Sequence, residues 1–204
     1  DIGLGIKFCV SKLKTLKPKP LQINVPGSNV RIDKAATFYD RATPQTISHI
    51  VLGVPDFNIV ESFYGERLGF IATDRYTKRG VFLRSAKYGN HHNLFVMNID
   101  TRKPKFNHLA FKVRDIHEVI GGGQFLTKRG WHSQVGPGRH YISSACFWYF
   151  KSPLGGALEY CADEDIMTEK WRTREFEIGP DRFSEWTFNA GSTFKAPTAA
   201  SRAK

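Results

Sequence analysis

Between residues 46 and 165 the apolar and polar positions fall into two successive blocks with the same order of periods. Each block opens on a strand-like run, ISHIVLGV (47–54) in the first and FNHLAFKV (106–113) in the second. Each then reaches an aspartate, Asp56 or Asp115, of the kind that caps a helix N-terminus after a strand. The helix-like stretches that follow are FNIVESFYGERLGF (57–70) and IHEVIGGGQFLTKRG (116–130). Three strand-like runs close each block. They are FIATDRYT, GVFLRSA and HHNLFVMNI in the first, and WHSQVG, ACFWYFKS and ALEYCAD in the second. Both blocks therefore read β-α-β-β-β. The triple glycine at 121–123 weakens the second helix by several tenths of a kcal/mol per residue.

The two blocks also match residue by residue. Placing SHIVLGVPDFNIV (48–60) on NHLAFKVRDIHEV (107–119) aligns His49 with His108 and Asp56 with Asp115, at a constant offset of 108 − 49 = 59 residues. A single βαβββ unit has one apolar sheet face and an unprotected edge, so it does not stand alone. Two units side by side form a curled mixed sheet with a cleft inside, and the first strand of each crosses that cleft. The fold class expected is α+β, with two tandem βαβββ modules (46–101 and 106–163) in one domain over 46–165. Residues 1–45, rich in Lys and Pro, read as a basic arm or the remnant of an upstream module. Residues 166–204 read as a C-terminal extension whose last fifteen or so residues are small, polar and disordered.

Charge changes this picture little. The chain carries a formal +11, but residues 1–45 hold eight Lys/Arg against three Asp/Glu, and residues 190–204 hold three basic residues and no acid. The excess lies in the tails. The stretch KLKTLKPKP (12–20) reads as a solvated arm and not as a nucleic-acid surface. No run of 18 apolar residues suggests a membrane span, and no signal-peptide pattern is read at the start. Cys9, Cys146 and Cys161 form no CxxC pair, which favours free thiols, a reducing compartment and a cytoplasmic location. Oligomerisation with copies of the same chain stays open.

The chemistry-bearing residues sit within the repeat. His49, His108 and Glu159 lie in three strand-like runs, and two imidazoles with one carboxylate are the set that binds non-haem Fe(II) on one face. The segment GPGRHYISSACFWYFKSPLGGALEY (136–160) adds His140, then Tyr149 nine positions on, then Glu159 ten further. In HHNLFVM, alternation groups His92 with Leu94 and Val96, and His91 with Asn93 and Phe95, so only one histidine can face the cleft. Superposing HHNLFVM on GGALEYC sets Phe95 opposite Glu159, and a phenyl ring binds no metal. The site is therefore expected to have three protein ligands. His117 and His132 read as surface residues.

With these residues in place, the chain resembles the vicinal oxygen chelate superfamily, which holds glyoxalase I, bleomycin-resistance proteins and extradiol ring-cleaving dioxygenases. Segment 136–160 looks like the type I extradiol signature. The resemblance implies that His49, His108 and Glu159 bind Fe(II), with Mn(II) as the alternative ion. It implies that His92 assists proton transfer, that His140 contacts the bound catecholate, and that Tyr149 hydrogen-bonds a substrate oxygen; His91 is then left without a role. The activity implied is extradiol cleavage of a small aromatic diol by O2, as in aromatic hydrocarbon catabolism. Two rivals on the same scaffold are a glyoxalase-like lyase or isomerase using Ni or Zn, and a non-catalytic binding protein of the bleomycin-resistance kind. Large extradiol enzymes carry two module pairs, of which the second binds metal, whereas this chain has one. Some enzymes acting on carboxylated catechols place an Arg just before the GPGRH position; here it is Val135, which favours an apolar substrate.

Overall fold

The computed structural model describes residues 3–5, 7, 9 and 22–188. The basic stretch 12–20 and the tail 189–204 lie outside the described residues. The first module runs β1 (Thr46–Val54), α1 (Phe57–Leu68), β2 (Ile71–Tyr76), β3 (Gly80–Arg84), β4 (Gly89–Asn90) and β5 (Leu94–Asn98). The second runs β6 (Lys105–Lys112), α2 (Ile116–Lys128), β7 (Ser133–His140), β8 (Cys146–Lys151) and β9 (Ala157–Ala162). Three short strands follow: β10 (Ile166–Met167), β11 (Arg174–Phe176) and, after the 3-10 turn Pro180–Arg182, β12 (Ser184–Thr187). Among the described residues no helix is long and apolar enough to cross a membrane.

Both helices begin where the capping aspartates put them. The Asp56 carboxylate accepts from the Asn58 N–H at 2.9 Å, and Asp115 Oδ1 accepts from the Glu118 N–H at 3.0 Å. Each bond satisfies one of the N–H groups that a first turn leaves unpaired. Gly69, in the left-handed region at φ 73°, closes α1.

Ten strands form one mixed sheet in the order β11-β2-β3-β5-β1-β6-β9-β8-β7-β12, and β4 pairs with β10 separately. The order is that of two equivalent halves meeting at β1 and β6, so the expected α+β fold with a large curled mixed sheet is what the chain adopts. The registers show the symmetry directly. Across the antiparallel β1–β6 seam, His49 lies opposite Ala110 and Val51 opposite His108. Exchanging each residue for its repeat equivalent, 49 + 59 = 108 and 110 − 59 = 51, turns the first pair into the second read backwards. The parallel pairs β1–β5 and β6–β9 match too, with Val51 beside Phe95 and Ala110 beside Glu159.

Strand alternation sorts the side chains into two layers. On the outer face of the first module, α1 buries Phe57 and Val60 against Val54, Val81, Leu83, Leu94 and Val96. The opposite face of those strands carries Val51, Phe82 and Phe95, which pack with Ile142 inside the cleft. In the second module Val113, Val119 and Ala162 pack beneath α2 with Trp148 and Tyr160. Phe147, Tyr149 and Ala157 face inward.

The triple glycine in α2 has a packing reason. A Cβ on Gly122 would lie 2.4 Å from the Ala42 side chain, and one on Gly123 would lie 2.0 Å from the Trp148 ring. Helix α2 therefore approaches both the preceding segment and β8 more closely than any larger residue allows. That segment is tied down further: the Thr43 N–H donates to Glu118 Oε1 at 3.0 Å, and the Tyr39 hydroxyl meets Asp115 Oδ2 at 3.0 Å. Residues beyond 165, read as an extension, supply both outermost strands of the sheet. Strand β11 pairs with β2, and β12 with β7. Cys146 and Cys161 are buried free thiols, and His132 is exposed.

Candidate metal centre and active-site cavity

Strands β1, β6 and β9 lie side by side and carry His49, His108 and Glu159 onto the cleft face. His49 Nε2 and His108 Nε2 are 3.2 Å apart, and each approaches Glu159 Oε2, at 3.1 and 3.3 Å. The three atoms form a nearly equilateral triangle. A divalent first-row ion bonded at about 2.0–2.2 Å to ligands at roughly 90–110° sets edges of about 2.8–3.6 Å, a range that holds all three. The donor set and its spacing therefore fit such an ion.

Glu159 is fully buried, and neither of its oxygens makes a hydrogen bond of good geometry. What the carboxylate faces is three histidine nitrogens, the third being His140 Nε2, 3.6 Å from Oε1. Burial alone would raise its pKa, but the surrounding histidines outweigh burial and hold it well below the usual range. A buried charge of this kind requires a cation or a strong hydrogen-bond donor. Burial, offset in part by Glu159, pushes the His108 pKa down, which favours the neutral ligand form.

The cavity beside this triangle is lined by His92, His140 and Tyr149, by the apolar side chains Val51, Phe82, Phe95, Ile142 and Phe183, and by Tyr76, Ser143 and Arg182. His140 Nδ1 lies 2.9 Å from the Phe183 carbonyl, which can only accept, so Nδ1 carries the proton. Its Nε2 lies 3.0 Å from the Tyr149 hydroxyl. Burial and the nearby Glu159 carboxylate push the Tyr149 pKa well above its ordinary value, so it stays a phenol. The Arg182 guanidinium lies over the Tyr141 ring, and the Tyr76 hydroxyl donates to the Arg182 carbonyl at 3.0 Å.

The cleft thus gathers all six residues singled out from the sequence: His49, His92, His108, His140, Tyr149 and Glu159. His92, however, does not share a face with Leu94 and Val96 as strand alternation predicts. Leu94 and Val96 pack beneath α1, whereas His92 lines the cavity with Phe95. Strand β5 begins only at Leu94 and residues 91–93 lie outside it, so the period of two does not extend back to the histidines.

His91 is not an idle neighbour. It is fully buried, with Nε2 2.9 Å from Asp74 Oδ2 and Nδ1 3.1 Å from His92 Nδ1. Asp74, also fully buried, takes further bonds from the Arg174 backbone N–H (3.0 Å) and guanidinium (2.6 Å). Burial would raise the Asp74 pKa, but His91 and Arg174 hold it below the usual range.

Glu164 also stands beside the site. It accepts from Ser48 Oγ at 3.0 Å and approaches His92 Nδ1 at 3.4 Å, and with His49 and His92 it makes a second group of closely spaced ligand atoms. The carboxylate is held down to about 2: burial, which would raise it, is outweighed by the hydrogen bond to His92 and by the nearby His49 and Lys112. Its one signal in the sequence was its place five residues beyond Glu159 in the run CADED.

Residues 46–160 match the family model of the Glyoxalase/Bleomycin resistance protein/Dioxygenase superfamily, and the chain belongs to that family. Metapyrocatechase 2 of Cupriavidus necator is 30% identical over 148 residues, which are 72% of this chain and 45% of the relative. The Mn(II)-bound glyoxalase of Novosphingobium aromaticivorans superposes with a TM-score of 0.69 at 26% identity, covering 81% of this chain and 55% of that one. A halotolerant catechol dioxygenase superposes with a TM-score of 0.62 at 25% identity, covering 70% and 47%. The chain spans about half the length of these relatives.

Proposed function

We propose that this chain carries the catalytic module pair of an extradiol dioxygenase, which cleaves a catechol-type ring with O2 at a divalent metal held by His49, His108 and Glu159. The observation that carries this reading is the buried Glu159 carboxylate, whose Oε2 lies at metal-ligand spacing from the Nε2 atoms of His49 and His108. Fe(II) is the ion proposed, with Mn(II) as the alternative. When bound, the ion supplies Lewis acidity toward a diol and open positions for diol and O2.

The chain's own side chains do the rest. Burial and the neighbouring His49 push the His92 pKa down to about 3, so His92 is neutral and can accept a diol proton at the cleft. The His140–Tyr149 pair offers a hydroxyl and an imidazole to a substrate oxygen. Val51, Phe82, Phe95, Ile142 and Phe183 exclude water and favour an apolar ring substituent.

The rival readings are less well served. In the pseudosymmetric position of Glu159 the first module has Phe95, so a glyoxalase-type fourth ligand is missing from that strand. A binding module needs no buried triad.

The test is anaerobic Fe(II) loading followed by mono- and bicyclic catechols and air. A yellow ring-cleavage product is expected. Glu159→Ala should lose stoichiometric iron, while Tyr149→Phe should keep it and turn over about 10- to 100-fold more slowly, as loss of one buried hydrogen bond to a charged partner implies. Iron bound at full stoichiometry with no product from any catechol would reject the proposal.

A further inference from the structure

Every group around Asp74 is a donor: the Arg174 backbone N–H to Oδ1 at 3.0 Å, the Arg174 guanidinium to both oxygens, and His91 Nε2 to Oδ2 at 2.9 Å. An ionised carboxylate can only accept, so His91 Nε2 carries a proton. The proton at the far end of His91 is fixed by the next two contacts. His92 Nδ1 lies 3.1 Å from His91 Nδ1 and 3.4 Å from Glu164 Oε1. If His91 donated through Nδ1, His92 would turn a lone pair toward the Glu164 carboxylate. If His91 accepts there, one N–H on His92 Nδ1 faces both acceptors. The carboxylates at the two ends of the chain, Asp74 and Glu164, demand the same proton arrangement.

We infer that Asp74 and His91 are positioning residues that fix the tautomer of His92, keeping the proton on Nδ1 and leaving Nε2 as the basic nitrogen. The inference deepens the ring-cleavage reading, in which His92 accepts the substrate proton, and rests on it only for its consequence in turnover. It also gives residues beyond 165 a part in the site. Arg174 on β11 reaches Asp74 across the sheet edge, and the neighbouring Trp171 indole donates to the Thr73 carbonyl at 3.0 Å. A histidine whose tautomer is set by a buried acid follows the logic of the serine-protease triad, where exchanging that acid for its amide costs about 10⁴ in kcat.

The test is nitrogen-15 NMR of the full chain with labelled histidine, metal-free and with diamagnetic Zn(II) added. The expected spectrum shows His92 protonated on Nδ1 and bare on Nε2, with His91 the reverse. In Asp74→Asn an amide oxygen in the Oδ1 place keeps the Arg174 backbone N–H and Nε, and the amide NH2 then takes the Oδ2 place, where it displaces the guanidinium NH2 group and faces His91 Nε2. His91 should then invert and donate to His92, which moves the His92 proton to Nε2. Turnover of Asp74→Asn should fall by about 10²–10⁴-fold with KM little changed.

A wild-type His92 protonated on Nε2 overturns the inference, and that spectrum needs no variant to fold. An unchanged His92 tautomer in a folded Asp74→Asn also overturns it, and gives the role to Glu164 alone. If no catechol is cleaved, the ring-cleavage reading fails while the spectra still decide the tautomer.

Discussion

Asp74 shows how a single buried residue is constrained by its surroundings. Its folded pKa is depressed, so the unfolded chain binds more protons at mildly acid pH and stability there rises with pH. The contribution is present above the unfolded value of about 3.9 and is lost as pH falls through the folded value. Below about pH 5, urea midpoints of the wild type should therefore drop more steeply than those of Asp74→Asn, whose stability at pH 7 is lower at the outset; parallel slopes would contradict this. Legibility varied at the same scale. His49 and His108 could be found because a constant offset relates them, and Glu159 because it closes the spaced series His140, Tyr149, Glu159 in a strand-like run. His91, Asp74 and Arg174 could not, because their contacts span 17 and 100 residues and follow no local period.

Among the elements, α2 is where propensity and packing disagree. Ala in place of Gly123 gains about 1 kcal/mol of helix propensity. The new methyl would lie 2.0 Å from the Trp148 ring, which is packed between α2 and the sheet. Overpacking typically costs about 1–3 kcal/mol, so Gly123→Ala should lower the urea midpoint. A rise would show that α2 can move away from β8. The sequence predicted both helices and their caps, since a capping aspartate after a strand is a local signal. It read the triple glycine only as a weakness, because nothing local says that Ala42 and Trp148 press against that turn. The break before β5 was hidden for the same reason. Alternation is informative only where the strand is continuous, and residues 91–93 bend before β5 begins at Leu94.

At the level of the whole molecule, the candidate centre sits on the seam between the halves, with His49 from one and His108 and Glu159 from the other. An ion bound there only in the folded state stabilises that state by about 2.7 kcal/mol at a hundred times its Kd. For a chain of this size the melting temperature should rise by roughly 5–10 °C. Differential scanning fluorimetry with Fe(II) under argon, or with Mn(II), should show the rise in the wild type, its reversal by chelator, and none in Glu159→Ala. The two-module architecture was legible because the halves repeat one period order. The outermost strands were not, because β11 and β12 are three and four residues long and alternate too briefly to register.

Their brevity has its own effect. A sheet that stopped at β2 and β7 would present long rows of free amide and carbonyl groups, the template on which a neighbouring molecule could stack strand upon strand. Three or four residues at each margin offer a newcomer very little to grip. Strands β11 and β12 thus act as bumpers on the two sides and discourage fibril-like growth.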